Sequence, residues 1–152
     1  MLKLYNTLTK SEEFADFASK EVKIYLCGPT VQSSPHIGHG RSAVVFDFLV
    51  RYLNYTGKEV VFARNITDID DKIIEKSLEQ GITHNELTTK VSKEFNEAYS
   101  ALNCKIPNHE PKATESIEKM IELIKLLEEK EIAYQSSSGV YFDISKYDNY
   151  LE

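Results

Sequence analysis

The feature that most constrains this chain is a strand–helix–strand succession between Glu21 and Ile66. "EVKIYLCG", Glu21 to Gly28, alternates and then stops at glycine, which reads as a buried strand. From Ile37 to about Tyr55, apolar residues return at helical spacing through Val44, Val45, Phe48, Leu49, Tyr52 and Leu53. Gly57 is a natural stop for that helix. "KEVVFARNI", Lys58 to Ile66, reads as a second buried strand. Two strands joined by one helix over so short a span predict a βαβ unit, parallel and right-handed, so the fold class is α/β. The sheet gains a third parallel strand if the N-terminal "KLYN" pairs with it.

The chain then turns helical. "DDKIIEKSLEQG" opens with acids, which suit the positive end of a helix, and stops at Gly81. A second helix is expected from Thr83 or His84 to about Leu102. "CKIPNHEP", Cys104 to Pro111, carries two prolines and reads as a linker. A third helix follows in "TESIEKMIELIKLLEEKE", with Thr114 as its cap, and then two short strands, "IAYQ" and "GVYFDIS", meet at a serine-rich turn with Gly139. Parallel sheets are normally covered on both faces and contain more strands than this. The expected architecture is therefore the first half of a doubly wound fold in residues 1–110, followed by the start of an inserted segment in 111–152.

With 152 residues, the chain fits one ordinary domain or a piece of something larger. A net charge of −6 argues against broad nonspecific binding of nucleic acid, which needs a basic face. No apolar run approaches the ~20 residues of a membrane span, so no membrane partner is expected. The N-terminus lacks a basic-then-apolar signal pattern, which argues against export. Two cysteines, Cys27 and Cys104, are too few for a disulfide framework, and a reducing cytoplasm is the simplest location.

The chemistry concentrates in "CGPTVQSSPHIGHGRS", Cys27 to Ser42. Open α/β sheets bind ligands beyond the carboxyl ends of their strands, where Cys27 sits. A helix N-terminus follows, with unpaired N–H groups and partial positive charge that attract phosphate. His36 and His39 lie three apart, on roughly one face of the first turn, where imidazoles can donate to a polyphosphate. Gly38 between them would let an adenine or ribose lie flat against the backbone. Blander readings stay open at this point. A HxxH pair can be a helix cap, zinc wants more ligands than two histidines, and Cys27 alone can be a small buried hydrophobe.

"HIGH" at His36 to His39 is the signature of the class I aminoacyl-tRNA synthetases. With "YLCGPTV", "RNITDIDDKI", the opening "LYNTLT" and the later "EPKATESI" and "GVYFD", the whole chain resembles the N-terminal part of the cysteinyl-tRNA synthetase family. Gln32 departs from the tyrosine commoner at that place. The resemblance implies a Rossmann-like catalytic domain that uses ATP with Mg2+ to turn L-cysteine into cysteinyl-adenylate and passes the cysteine to tRNA(Cys). It implies that Cys27 is a zinc ligand whose Zn2+ holds the substrate thiolate. The other ligands would come from a later Cys, His and Glu beyond Glu152, with Cys104 and His109 outside the set. His36 and His39 would be the catalytic pair, stabilising the triphosphate as the cysteine carboxylate attacks. Gly38 would support the adenine, and Gly28, Pro29, Thr30 and Ser42 would line the adenylate pocket. Cysteine would also meet Thr30, Asn65, Ile66 and Thr67. Thr67 and one aspartate, Asp68 foremost, would hold its ammonium, while Asp70 and Asp71 can equally be helix caps.

The family's second signature, a KMSKS loop, lies outside these residues, as do the second half of the catalytic fold, the stem-contact domain and the anticodon-binding helices. Contacts with tRNA are expected there, and the chain alone is not expected to aminoacylate. Three rivals remain. A cysteine ligase of mycothiol biosynthesis shares the zinc and the HIGH motif but usually has Pro-Tyr where Val31 and Gln32 stand. A small nucleotidylyltransferase with an HxGH motif leaves Cys27 and "RNITDIDD" without a role. The third is a non-catalytic nucleotide-binding fragment.

Overall fold

A computed structural model describes residues 2–15, 17–148 and 150. The chain opens with two four-residue strands, Lys3–Asn6 (β1) and Ser11–Phe14 (β2), paired antiparallel. "KLYN" therefore does not extend the parallel sheet. Only Thr7 to Lys10 separate the two runs, enough for a hairpin and far too few for a parallel crossover. The turn closes locally: the Asn6 side-chain oxygen accepts from Leu8 N–H, and Lys10 takes φ 55°.

The expected βαβ unit follows as Glu21–Leu26 (β3), Ile37–Tyr55 (α1) and Glu59–Arg64 (β4). β3 and β4 run parallel, in register from Glu21 opposite Glu59 to Leu26 opposite Arg64. Pairing continues past the strand ends, where Val31 N–H donates to Thr67 O at 3.1 Å and Thr67 N–H to Pro29 O at 3.0 Å. Only one face of β3 is covered, so it is not buried throughout: Val22 is buried while Tyr25 is exposed.

The segment read as a linker is instead an irregular third line of the sheet. It lies along the far side of β4, with isolated parallel bridges from Ala63 to His109 and from Ile66 to Lys112. Phe62 O accepts from the N–H groups of Asn108 and His109, Arg64 N–H reaches His109 O, and Ile66 N–H reaches Pro111 O. Pro107 and Pro111 lack the N–H that a regular ladder needs, and Phe62 N–H donates to the Asn108 carboxamide oxygen rather than to a backbone carbonyl.

Two helices follow β4 and pack against each other. Asp71–Gln80 (α2) begins with the Asp70 carboxylate accepting from Lys72 N–H and ends at Gly81 with φ 65°. His84–Ala101 (α3) begins with a capping box between Thr83 and Glu86. Leu87, Val91, Phe95 and Tyr99 repeat along one face of α3 and form a buried cluster with Val31, Ala43, Ile66 and Ile73. Each such side chain contributes roughly 1.5–3 kcal/mol by leaving water, so α3 organises the core.

α1 orients differently from its sequence pattern. Its buried residues are Ala43, Val50 and Leu53, while Val44, Val45 and Phe48 face outward. The helix carries apolar residues nearly all round, which leaves its orientation to its neighbours rather than to its own periodicity. Thr114 does not cap the last helix. It starts a 3-10 turn at Thr114–Ser116, its side chain bonds Asp68, and the helix proper is Ile117–Glu129 (α4). The antiparallel pair Ala133–Ser136 (β5) and Gly139–Phe142 (β6) follows, turning through Gly139 at φ 147°. Among the described residues, no helix is long and apolar enough to cross a membrane.

Candidate active site

The N-terminus of α1 is built from its own two histidines. His36 is the N-cap in extended backbone, and its Nδ1 accepts from Gly38 N–H at 3.1 Å. His39 Nδ1 reaches back and accepts from His36 N–H, also at 3.1 Å. This is a capping box with imidazoles where serine and glutamate usually stand. In a neutral imidazole one nitrogen accepts and the other carries the proton, so both rings hold their proton on Nε2. The ring centroids are 3.8 Å apart, and the buried ring of Phe95 meets His39 edge-on at 4.9 Å. Burial, and then the charge of His36, push the His39 pKa below the ordinary histidine value. A neutral His39 at physiological pH keeps Nε2–H as a donor.

Both histidines line a cleft of about 280 Å³ at the carboxyl end of β3, together with Cys27, Gly28, Pro29, Thr30 and Ser42. Cys27 is exposed, its sulfur 4.0 Å from Gly28 O. Two glycines have steric reasons. A Cβ on Gly28 would stand 1.6 Å from the Asn65 carbonyl oxygen, so the approach of the β3 and β4 loops at that point requires glycine. A Cβ on Gly38 would press on the His36 ring at 2.9 Å. The chain carries a net −6, yet among the described residues no carboxylate lines this cleft.

The structure does not bring the rest of the expected cysteine-binding set into the cleft lining. Ile66 belongs to the core. Asn65 clamps the loops: its Oδ1 accepts from Gly28 N–H at 2.8 Å and Tyr25 O–H at 3.0 Å, and its amide lies 3.2 Å from Thr67 Oγ1. Thr67 pairs by backbone with Pro29 and Val31. Asp68 is buried, with both carboxylate oxygens bonded to Thr114, and borders a separate groove along α3. Asp70 is a helix cap.

Over residues 13–152, the chain matches the family described as "tRNA synthetases class I (C) catalytic domain". It belongs to that family. It is 47% identical to the cysteine–tRNA ligase of Vibrio vulnificus over 152 residues, 99% of this chain and 33% of the relative. The Rickettsia prowazekii cysteine–tRNA ligase is 49% identical over 99% of this chain and 34% of its own length. That of Campylobacter lari is 50% identical over 96% and 32%. The chain thus spans about a third of the length of these curated relatives.

Within this class I synthetase family member, a metal site is only partly furnished. Among the described residues, no group of three or more His, Cys, Asp or Glu could hold an ion. Cys27 is one exposed thiol facing a cleft, fitting as a single ligand and not as a site. Burial raises the Cys104 thiol pKa, with Asp47 adding to it, so Cys104 stays protonated and packs against the core.

The cleft also holds a residue that motif reading passed over. Arg64 is 6% exposed, yet it lines the cleft beside Tyr99. Its Nε and Nη2 both donate to Glu110 Oε1, at 3.1 and 2.5 Å, and its guanidinium lies 4.3 Å over the Tyr99 ring. The signal is an arginine that closes the apolar run Val60 to Ala63, a cation that needs a partner to be buried.

Proposed function

We propose that this chain carries the first half of the cysteine-activating site of a cysteine–tRNA ligase. Residues 1–110 form the N-terminal half of a Rossmann-like catalytic domain, and 111–152 begin the connective insertion. The observation that carries the reading is the pair of imidazoles that cap α1 inside a cleft whose described lining holds no carboxylate. Both reactants, the cysteine carboxylate and the ATP triphosphate, are anions, so the site needs fixed donors without competing negative charge.

His36 and His39 offer Nε2–H to the triphosphate. A cysteine carboxylate oxygen bonds to the α-phosphorus. The bond from that phosphorus to the bridging oxygen breaks, and pyrophosphate leaves with the electron pair. The donors strengthen as charge grows on the leaving group, assisted by the positive end of α1. Gly28, Pro29, Thr30 and Ser42 surround the adenylate, and Gly38 supports the adenine. Asn65 and Thr67 hold the loop from which cysteine is approached. Mg2+ would accompany ATP, and Cys27 would supply one ligand to a Zn2+, which would favour a soft thiol over a serine hydroxyl. Transfer to tRNA(Cys) uses regions outside these residues.

The test joins this chain to the remaining two thirds, roughly, of the Vibrio vulnificus relative and measures ATP–pyrophosphate exchange with zinc present. Exchange should depend on cysteine and not on serine, and the 152-residue chain alone should not charge tRNA. A chimera that folds yet shows no cysteine-dependent exchange, or treats serine equally, sinks the reading.

A further inference from the structure

Asp68 is 7% exposed and sits one residue past the last paired position between the β3 and β4 loops. Its Oδ1 accepts from Thr114 N–H at 2.9 Å and its Oδ2 from Thr114 Oγ–H at 2.5 Å. Its carbonyl oxygen lies 2.6 Å from His84 Nε2, at the start of α3. One residue earlier, Thr67 N–H donates to Pro29 O, and Thr67 O accepts from Val31 N–H. On the opposite side, Ile66 O accepts from Ala113 N–H. Three chain segments therefore meet in fixed register at Asp68: the cleft loop, the loop after β4, and the lead into α4. The Asp68 carboxylate accepts two charge-assisted bonds at this junction, both from Thr114.

We propose that Asp68 is a positioning residue for substrate binding that acts through Thr114, rather than a direct ligand of the substrate ammonium. The Asp68–Thr114 clasp fixes the height of Thr67, and Thr67 in turn holds Pro29 and Thr30 against the cleft. Because the same clasp holds the first turn leading into α4, displacement of that segment is transmitted to the amino-acid side of the site. This rests on the cysteine-activation reading for its kinetic consequence and on geometry alone for the clasp.

The chimera described above tests it with Thr114→Val, which keeps shape and N–H but removes the hydroxyl, Asp68→Asn, the double variant and Thr114→Ser. Thr114→Val and Asp68→Asn should each raise KM for cysteine about tenfold while kcat and KM for ATP stay within about twofold. The double variant should be no worse than the more affected single one, and Thr114→Ser should restore the wild-type KM. A large loss in Asp68→Asn with none in Thr114→Val makes Asp68 a direct ligand and overturns the proposal. Equal loss for ATP and cysteine overturns it too. If the unsubstituted chimera shows no exchange, the function reading fails separately. The clasp is then judged by urea unfolding of the unsubstituted chimera, the two single variants Thr114→Val and Asp68→Asn, and the double variant, where additive losses overturn it and coupled losses uphold it.

Discussion

Leu87, Val91, Phe95 and Tyr99 of α3 recur on one helical face and are buried, whereas α4 carries Ile117, Met120, Ile121, Leu123, Ile124, Leu126 and Leu127 and buries none of them. The two helices differ in what they meet. α3 has Val31, Ala43, Ile66 and Ile73 against it, and a reciprocal cap at its start. α4 has no side-chain cap, and the β5–β6 pair beside it is mostly exposed. An apolar stripe belongs to a sequence, but burial needs a partner. α3 is held by packing, while α4 rests more on helix propensity and on the bonds of the lead-in segment at Ala113 and Thr114.

Substitutions can break or sharpen that contrast. The largest effect is expected where two backbones touch. Gly28→Ala should prevent the native approach of the two loops and cost more than ~4 kcal/mol, the exceptional end of single-residue effects, in urea unfolding. Gly81→Ala, with open space but a left-handed φ, should cost only ~1 kcal/mol. In the core, Ile73→Ala should cost about 2–5 kcal/mol, against under ~1 kcal/mol for Ile124→Ala on α4. Equal losses at those two positions would mean that α4 is as well packed as α3.

An effect smaller than that at Gly28 falls on chemistry. His39→Asn keeps a side-chain acceptor for the cap and removes the Nε2 donor. In the chimera it should lower kcat for exchange by about 100-fold, ~3 kcal/mol of barrier, with a much smaller change in KM for cysteine. The smallest effect concerns pH. Because the His39 pKa is lowered in the folded state, the unfolded chain binds the proton more readily just below the ordinary histidine range. Stability from this group is therefore complete above that range and declines as pH falls toward the lowered value. His39→Asn should flatten that part of a stability–pH curve.

Much of this was legible in the residues. The βαβ unit followed from two apolar runs around a periodic stretch, the cap at Asp70 from a short acidic side chain before a helix, and the start of α3 was placed at Thr83 or His84. The expectation that histidines, cysteine and the "GPT" turn share a corner matches their place around one cleft. Other features depended on distance in space. Nothing local in "CKIPNHEP" shows that Asn108 replaces a ladder bond, since its partner Phe62 lies 46 residues away. Thr114 reads as a cap because threonine often is one, and only the fold brings the Asp68 carboxylate to it. The outward face of α1 could not be read from a helix that is apolar nearly all round.

The paired histidine cap has a consequence for what substrate arrival must accomplish. A half-turn of either ring about its Cβ–Cγ bond would remove Nδ1 from the N–H it accepts, so each ring is held in one of its two orientations. Rotational freedom that a surface imidazole would give up on meeting a nucleotide is given up here during folding. The helix end thus delivers two donors already aimed, and the entropy of aligning them is absent from the binding step.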